Sequence, residues 1–172
     1  MVVLDLFSGA GGLSEGFFRQ GAIFVGHVEA DSHACKTLKT RTAYWNLKNE
    51  NKLNIYHDYL LKKISTDELW EIANVKNSND IINTFISNET FDGIAKTINQ
   101  NLKDKNIENV DLIIGGPPCQ AYSVVGRARM KDSVIEDPRN FLYLHYVRFL
   151  TTFKPKMFIF ENVPGLKSAA NG

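Results

Sequence analysis

The apolar run Leu112-Ile113-Ile114 stops against Gly115-Gly116-Pro117-Pro118, and Cys119 stands directly behind the two prolines. Proline cannot continue a hydrogen-bonded ladder and glycine permits a tight turn, so the run reads as a buried strand that ends abruptly. Two other runs end in a similar way. Val2-Val3-Leu4-Asp5-Leu6-Phe7 enters the glycine turn Ser8-Gly9-Ala10-Gly11-Gly12, and Met157-Phe158-Ile159-Phe160 enters Glu161-Asn162-Val163. Open α/β sheets place their ligands at the carboxyl ends of the strands. Three strand-end turns thus bring a glycine cradle, a thiol and a carboxyl group to one sheet edge, and Cys119 takes a nucleophile's position.

The segments between these strands read as helices. Residues 14–20 form one after the glycine turn; Ile23 to Val28 is a second strand, and Asp31-Ser32 caps a helix to about Tyr44. Asn140 to Phe153 carries Phe141, Leu144, His145, Phe149 and Thr152 along one helical side, and Lys154-Pro155-Lys156 ends it. Strands alternating with helices predict a doubly wound, mostly parallel, Rossmann-like α/β sheet. Residues 45–109 differ, being rich in Asn, Lys and Ile. Ser65-Thr66-Asp67-Glu68 is a capping box opening a helix through Trp70 and Ile72, and Phe91, Ile94, Ala95, Ile98 and Leu102 mark another over about 89–103. This stretch reads as a helical insertion packed on the sheet's flank. Val124 to Asn140 is polar and aperiodic, a loop directly after the thiol.

With 172 residues, 44% hydrophobic and 23% charged, the chain has room for one domain with a real core. No apolar stretch approaches the roughly 20 residues of a membrane span, and no secretory leader is present, so the expected setting is the cytoplasm. Cys35 and Cys119 are too few for a disulfide scaffold and lack metal-ligand neighbours, so no metal is expected. Cys35 reads as a small core residue. A net charge of +1, from 20 basic and 19 acidic residues, neither supports nor excludes nucleic acid.

A nucleotide-type cofactor site needs a turn that admits the ligand to the backbone and an acid for its ribose. Gly9, Gly11 and Gly12 supply the turn and Glu29, ending the second strand, the acid. Ser14 stands where the dinucleotide pattern has a third glycine. This cradle alone leaves NAD open as a rival.

Taken in order, Asp5-Leu6-Phe7-Ser8-Gly9-Ala10-Gly11-Gly12-Leu13-Ser14-Glu15-Gly16-Phe17, Glu29, Pro118-Cys119-Gln120 and Glu161-Asn162-Val163 resemble the N-terminal, catalytic-domain portion of the cytosine-C5 DNA methyltransferases. The resemblance implies the class I S-adenosylmethionine-dependent fold, with S-adenosyl-L-methionine as cofactor. Phe7 would pack on its adenine, Leu142 would touch its methionine portion, and Ser8 and Pro117 would complete the pocket. It implies a Cys119 thiolate that adds to C6 of cytosine, and Glu161 as the donor at N3. A carboxylic acid able to donate near neutral pH needs an environment that raises its pKa. It implies further that Pro118 receives the cytosine amino group, that Gln120 and Ser123 contact the opened strand, and that Asn162 and Val163 flank the base. The partner would be double-stranded DNA with a flipped cytosine, since attack on a stacked base is impossible. Arg127, Arg129 and Lys131 are candidate phosphate contacts or plain solvated charges. A prokaryotic restriction–modification methylase is the expected setting. A tRNA cytosine-C5 methyltransferase and a non-catalytic subunit that binds nucleic acid or cofactor are the alternatives.

The chain departs from the family pattern in several places. The family's acidic contact to the adenine amino group has no counterpart around Ile82 to Ser87, and Asp58 or Asp80 are the nearest acids to argue for. Ala30 replaces a bulky aromatic and Asn140 a glycine. The Gln-Arg-Arg-x-Arg motif and the target-recognition domain do not occur within residues 1–172. Met157-Phe158-Ile159-Phe160 is apolar throughout, as an interior strand would be, and would be an association hazard at an edge. The chain is therefore expected to be a partial catalytic domain, completed by a longer chain or a second subunit and inactive alone.

Overall fold

A computed structural model describes residues 1–118 and 142–162. Strands β1 (Val2–Leu6), β2 (Ile23–Glu29), β3 (Ile81–Asn83), β4 (Leu112–Gly115) and β5 (Met157–Phe160) form one sheet in the order β3-β2-β1-β4-β5. Every pairing is parallel. The helices are α1 (Ser14–Arg19), α2 (Ser32–Asn49), α3 (Leu53–Leu60), α4 (Thr66–Ile72), α5 (Asn88–Asp104) and α6 (Leu142–Phe153). The chain first winds outward from β1 through β2 to β3, then returns to add β4 and β5 on the other side. The direction reverses between β1 and β4, and their carboxyl ends make the crevice where such sheets bind ligands.

Alternation along the strands splits the core. Leu4, Leu6, Val25, Val28 and Ile113 pack with Phe91, Ile94 and Ile98 of α5 and with Tyr146 and Phe149 of α6. Val3, Phe24, Leu112 and Ile114 form a second cluster with Phe17 and Phe18 of α1. Each fully buried side chain of this size contributes about 1.5–3 kcal/mol. Tyr146 donates its hydroxyl toward the carbonyls of Ile113 and Ile159, both at 3.0 Å, which ties α6 to β4 and β5.

The caps follow the sequence. Asp31 Oδ1 accepts from the amides of His33 and Ala34, and Ser65 and Glu68 cap each other at the start of α4. Helix α2 runs past Tyr44 to Asn49 because Trp45 and Leu47 are buried there, so tertiary packing overrides modest helix propensity. Residues 45–109 divide in two. The end of α2 joins α3 and α4 in a separate cluster around Leu47, Leu69 and Val75, whereas β3 pairs with β2 and α5 covers the sheet. Among the described residues β5 pairs only with β4, leaving Met157 and Phe158 64% and 55% exposed. No helix among them is long and apolar enough to cross a membrane.

Gly115 ends β4 at φ 156°, and a Cβ there would lie 2.2 Å from the Leu6 carbonyl oxygen. The atom it meets is backbone at the centre of a sheet, so nothing can swing aside. Gly115→Ala is expected to cost about 3 kcal/mol, lowering Tm by roughly 6–12 °C in a domain of this size. A calorimetric Tm within about 2 °C of the parent would contradict this packing.

Candidate functional site

Phe7, just beyond β1, holds φ 56°. A bulky side chain in the left-handed region carries strain on the order of 1–3 kcal/mol and is a genuine outlier. The Phe7 ring is partly buried and packs against the main core cluster. The turn behind it is tightly bonded: Ser8 N–H donates to Val28 O at 3.1 Å, and Gly11 N–H to Ser8 O at 3.0 Å. Ser8 Oγ donates to Asp5 O at 2.9 Å.

Glu29 joins this turn to the end of β2. Its Oε2 accepts from Gly9 N–H and its Oε1 from Asp31 N–H, both at 2.8 Å. Asn83, at the end of β3, donates its amide to the carbonyls of Glu29 (3.0 Å) and Ala30 (2.9 Å) and fixes the backbone that carries the carboxylate. Beneath the glycine turn lies a buried polar cluster. Ser14 Oγ donates to Asp5 Oδ2, and His27 Nδ1 lies 3.2 Å from the same oxygen. All three residues are fully buried, so this is where the hydroxyl of Ser14, in place of a third glycine, finds its use. Charge alone buried there would be costly; these partners offset it.

Two adjoining cavities open at the crevice. One of about 110 Å³ is bordered by Phe7, Glu29, Phe85, Ile86, Pro118 and Leu142, among others. The second, about 390 Å³, is bordered by Asp5, Phe7, Ser8, Leu13, Gly115, Gly116 and Glu161. Phe7 and Gly116 belong to both. Glu161, exposed at the end of β5, is held by its N–H donating to Gly115 O at 2.9 Å. A Cβ on Gly116 would fall 2.5 Å from Glu161 Oε2, so glycine is what lets this carboxyl approach the turn. A larger cavity, about 610 Å³, lies at the opposite end of β3 around Asn46, Lys76, Asp80 and Lys105 and touches none of these residues.

The structure thus gathers Phe7, Ser8, Gly9, Glu29, Pro118, Leu142 and Glu161 from the ends of four strands and the start of α6. Leu142 borders the cavity of Phe7 and Glu29, not the one at Glu161. Gly11 and Gly12 shape the turn, Pro117 is buried within the β4 turn, and Asn162 follows Glu161. Cys119, Gln120, Ser123, Val163, Asn140, Arg127, Arg129 and Lys131 lie outside the described residues. Pro118, the residue before Cys119, borders the smaller cavity. Asp58 pairs with Lys63 at 2.9 Å and Asp80 with Lys105 at 3.0 Å, and neither borders the cavity at Glu29. Cys35 is buried against the Glu29 carbonyl; burial first, then the charges of Glu29 and Asp31, push its thiol pKa up, as suits an inert core residue.

Sequence reasoning missed Asn83, the Asp5–Ser14–His27 cluster and Phe85. The lone histidine on an apolar strand, with Asp5 at the matching position of its neighbour, was the available signal.

The whole chain matches the family model for C-5 cytosine-specific DNA methylase, in overlapping segments 1–70 and 61–172. It is 44% identical over 189 residues to the type II methyltransferase M.Bpa9945I of Bacillus paralicheniformis, covering 100% of this chain and 42% of that protein. It is 33% identical over 170 residues to the type II methyltransferase M.BsuRI of Bacillus subtilis, covering 99% and 33%. Among solved structures, a prophage-encoded protein assigned as a DNA modification methyltransferase (E. coli) superposes with a TM-score of 0.53 at 28% identity, over 98% of this chain and 34% of that one. The chain spans less than half the length of these relatives. On the family match along its whole length, the chain belongs to the C-5 cytosine-specific DNA methylases.

Proposed function

We propose that the protein containing this chain methylates C5 of cytosine in double-stranded DNA, as the modification arm of a prokaryotic restriction–modification system. The observation that carries the reading is the pair of adjoining cavities at the β1/β4 reversal, one bordered by Glu29 and Pro118, the other by Glu161. Target recognition and closure of the site belong, in this reading, to parts beyond the catalytic portion formed by residues 1–172.

The residues present fit S-adenosylmethionine. The smaller cavity is an apolar slot ending on a carboxylate, which suits a flat base joined to a ribose diol, and the Ser8–Gly12 turn admits a ligand close to the backbone. Glu29 would hold the ribose, Phe7 the adenine, and Ser8, Leu142 and Pro117 would help to shape the pocket. When bound, this cofactor supplies an electrophilic methyl group on a sulfonium.

The chain's own chemistry addresses the other reactant. Cytosine C5 is a weak nucleophile, and the Cys119 thiolate overcomes this by adding to C6, which makes C5 enamine-like. Glu161 donates toward N3, where negative charge would otherwise build up. The Pro118 carbonyl accepts from the cytosine amino group and, with Asn162 and Val163, orients the ring. Gln120 and Ser123 contact the strand from which the base has been turned out. Once C5 has taken the methyl group, loss of the C5 proton lets the C6–S bond break, which restores the thiolate and the aromatic ring.

Duplex DNA with 5-fluorocytosine in place of cytosine tests this scheme. Fluorine cannot leave as a cation, so the sulfur–C6 bond persists. With S-adenosylmethionine present, a denaturation-resistant protein–DNA complex is expected on gels, and none with tRNA substituted in the same way. A complex on tRNA alone would reassign the substrate, and no complex on either would refute covalent catalysis.

A further inference from the structure

We infer that His27 is a positioning residue: through the Asp5 carboxylate it holds the glycine turn between β1 and α1 in the shape that receives a ligand. The inference rests on reading that turn as part of the cofactor's site.

The segment from Ser8 to Ser14 is fastened at both ends to one residue. Ser8 Oγ donates to the Asp5 carbonyl at 2.9 Å, and Ser14 Oγ donates to Asp5 Oδ2. Leu13, at the cap position of α1, makes no side-chain capping bond, so this helix begins without the clasp that Asp31 and Ser65 give α2 and α4. Ser14 supplies a tether instead. That tether holds only while the carboxylate it grips keeps its orientation, and Asp5 also borders the cavity at Glu161. Released from its partners, the carboxylate would be free to turn toward that space and let go of the end of the turn.

His27 fixes the carboxylate. A carboxylate oxygen only accepts, so Nδ1, 3.2 Å from Asp5 Oδ2, is the donor. The backbone is built for this contact. Val3 pairs with Phe24 but Leu4 with Gly26, which leaves Val25 as an extra residue in β2. Side chains three apart on a regular strand face opposite sides. The bulge brings Phe24 and His27 to the same side, with ring centroids 4.4 Å apart, and bulges re-aim side chains in this way. His27 is 1% exposed, and its Nε2 is buried with no partner among the described residues. An unpaired buried nitrogen costs stability. A ring that served only to fill the core would have no use for it, so the Nδ1 bond to Asp5 is the contact this histidine is there to make.

The test is calorimetric binding of S-adenosylhomocysteine to the native full-length protein, with Tm recorded for each variant. His27→Leu keeps the bulk, removes the donor, and is expected to weaken binding roughly tenfold. His27→Asn places an amide nitrogen where Nδ1 stands and should bind within about threefold of the parent, although it leaves a void beside the aromatic rings. Ser14→Ala leaves β2 untouched, breaks the same link from its other end, and should weaken binding by roughly 3- to 10-fold. Unchanged affinity in His27→Leu or in Ser14→Ala overturns the inference. So does a loss in both His27 variants that simply follows their fall in Tm, the mark of a merely structural role. Each of these outcomes leaves the cofactor reading intact. A parent protein that does not bind S-adenosylhomocysteine brings down the cofactor reading, and this inference with it.

Discussion

Cys119→Ser is expected to lower methyl transfer to DNA by about three orders of magnitude or more, while S-adenosylmethionine affinity stays within about twofold. The substitution changes one atom, oxygen for sulfur. A hydroxyl ionises far less readily than a thiol, so the proposed nucleophile is effectively removed. Cofactor affinity is expected to hold because the proposed scheme assigns it to Glu29 and Phe7, on the other strand ends. A tritiated-methyl transfer assay paired with calorimetric cofactor binding separates the two effects. Activity within tenfold of the parent would sink the nucleophile assignment; joint loss of activity and cofactor binding would contradict the separation of the two roles.

Glu161→Gln is expected to lower kcat by about 10²- to 10⁴-fold with little change in KM. The amide is nearly isosteric, and the backbone bond from Glu161 N–H to Gly115 O does not involve the side chain. Glutamine can still hydrogen-bond to N3 of the base, so binding survives, but it cannot deliver a proton as charge develops there. Single-turnover rates on saturating DNA would read the effect on the chemical step. Rates equal to the parent's would remove Glu161 from proton transfer.

Much of this architecture was legible because it depends on local rules. Strand ends marked by Gly-Gly-Pro-Pro and by the Ser8–Gly12 turn lie where the sequence places them, and the caps at Asp31 and Ser65 are bonded as the residue types dictate. Glu29 was legible as an acid at the end of an apolar run. Strand β3 was not: three residues, two of them isoleucine, carry too short a pattern, and the strand exists only because His27, Val28 and Glu29 offer it an edge. Phe85 was hidden for a related reason. Its exposure and its place beside Phe7 follow from where β3 docks, and no periodicity encodes that. The Asp5–Ser14–His27 cluster spans 22 positions of sequence, and each member alone passes for an ordinary core or capping residue. Residue types thus announced the strand ends and their turns, whereas the supporting contacts waited on the tertiary fold.

The bridge that Glu29 makes between Gly9 and Asp31 has a thermodynamic consequence. A free glutamate side chain gives up roughly 1.5–2 kcal/mol of rotamer freedom when a ligand fixes it. Here the carboxylate is already fixed by two amides from separate turns, and each oxygen retains capacity for a further bond. That ordering happens when the sheet folds. A polyol arriving at this oxygen pair therefore meets an acceptor whose entropy has been surrendered in advance, and more of each new hydrogen bond is expressed as affinity.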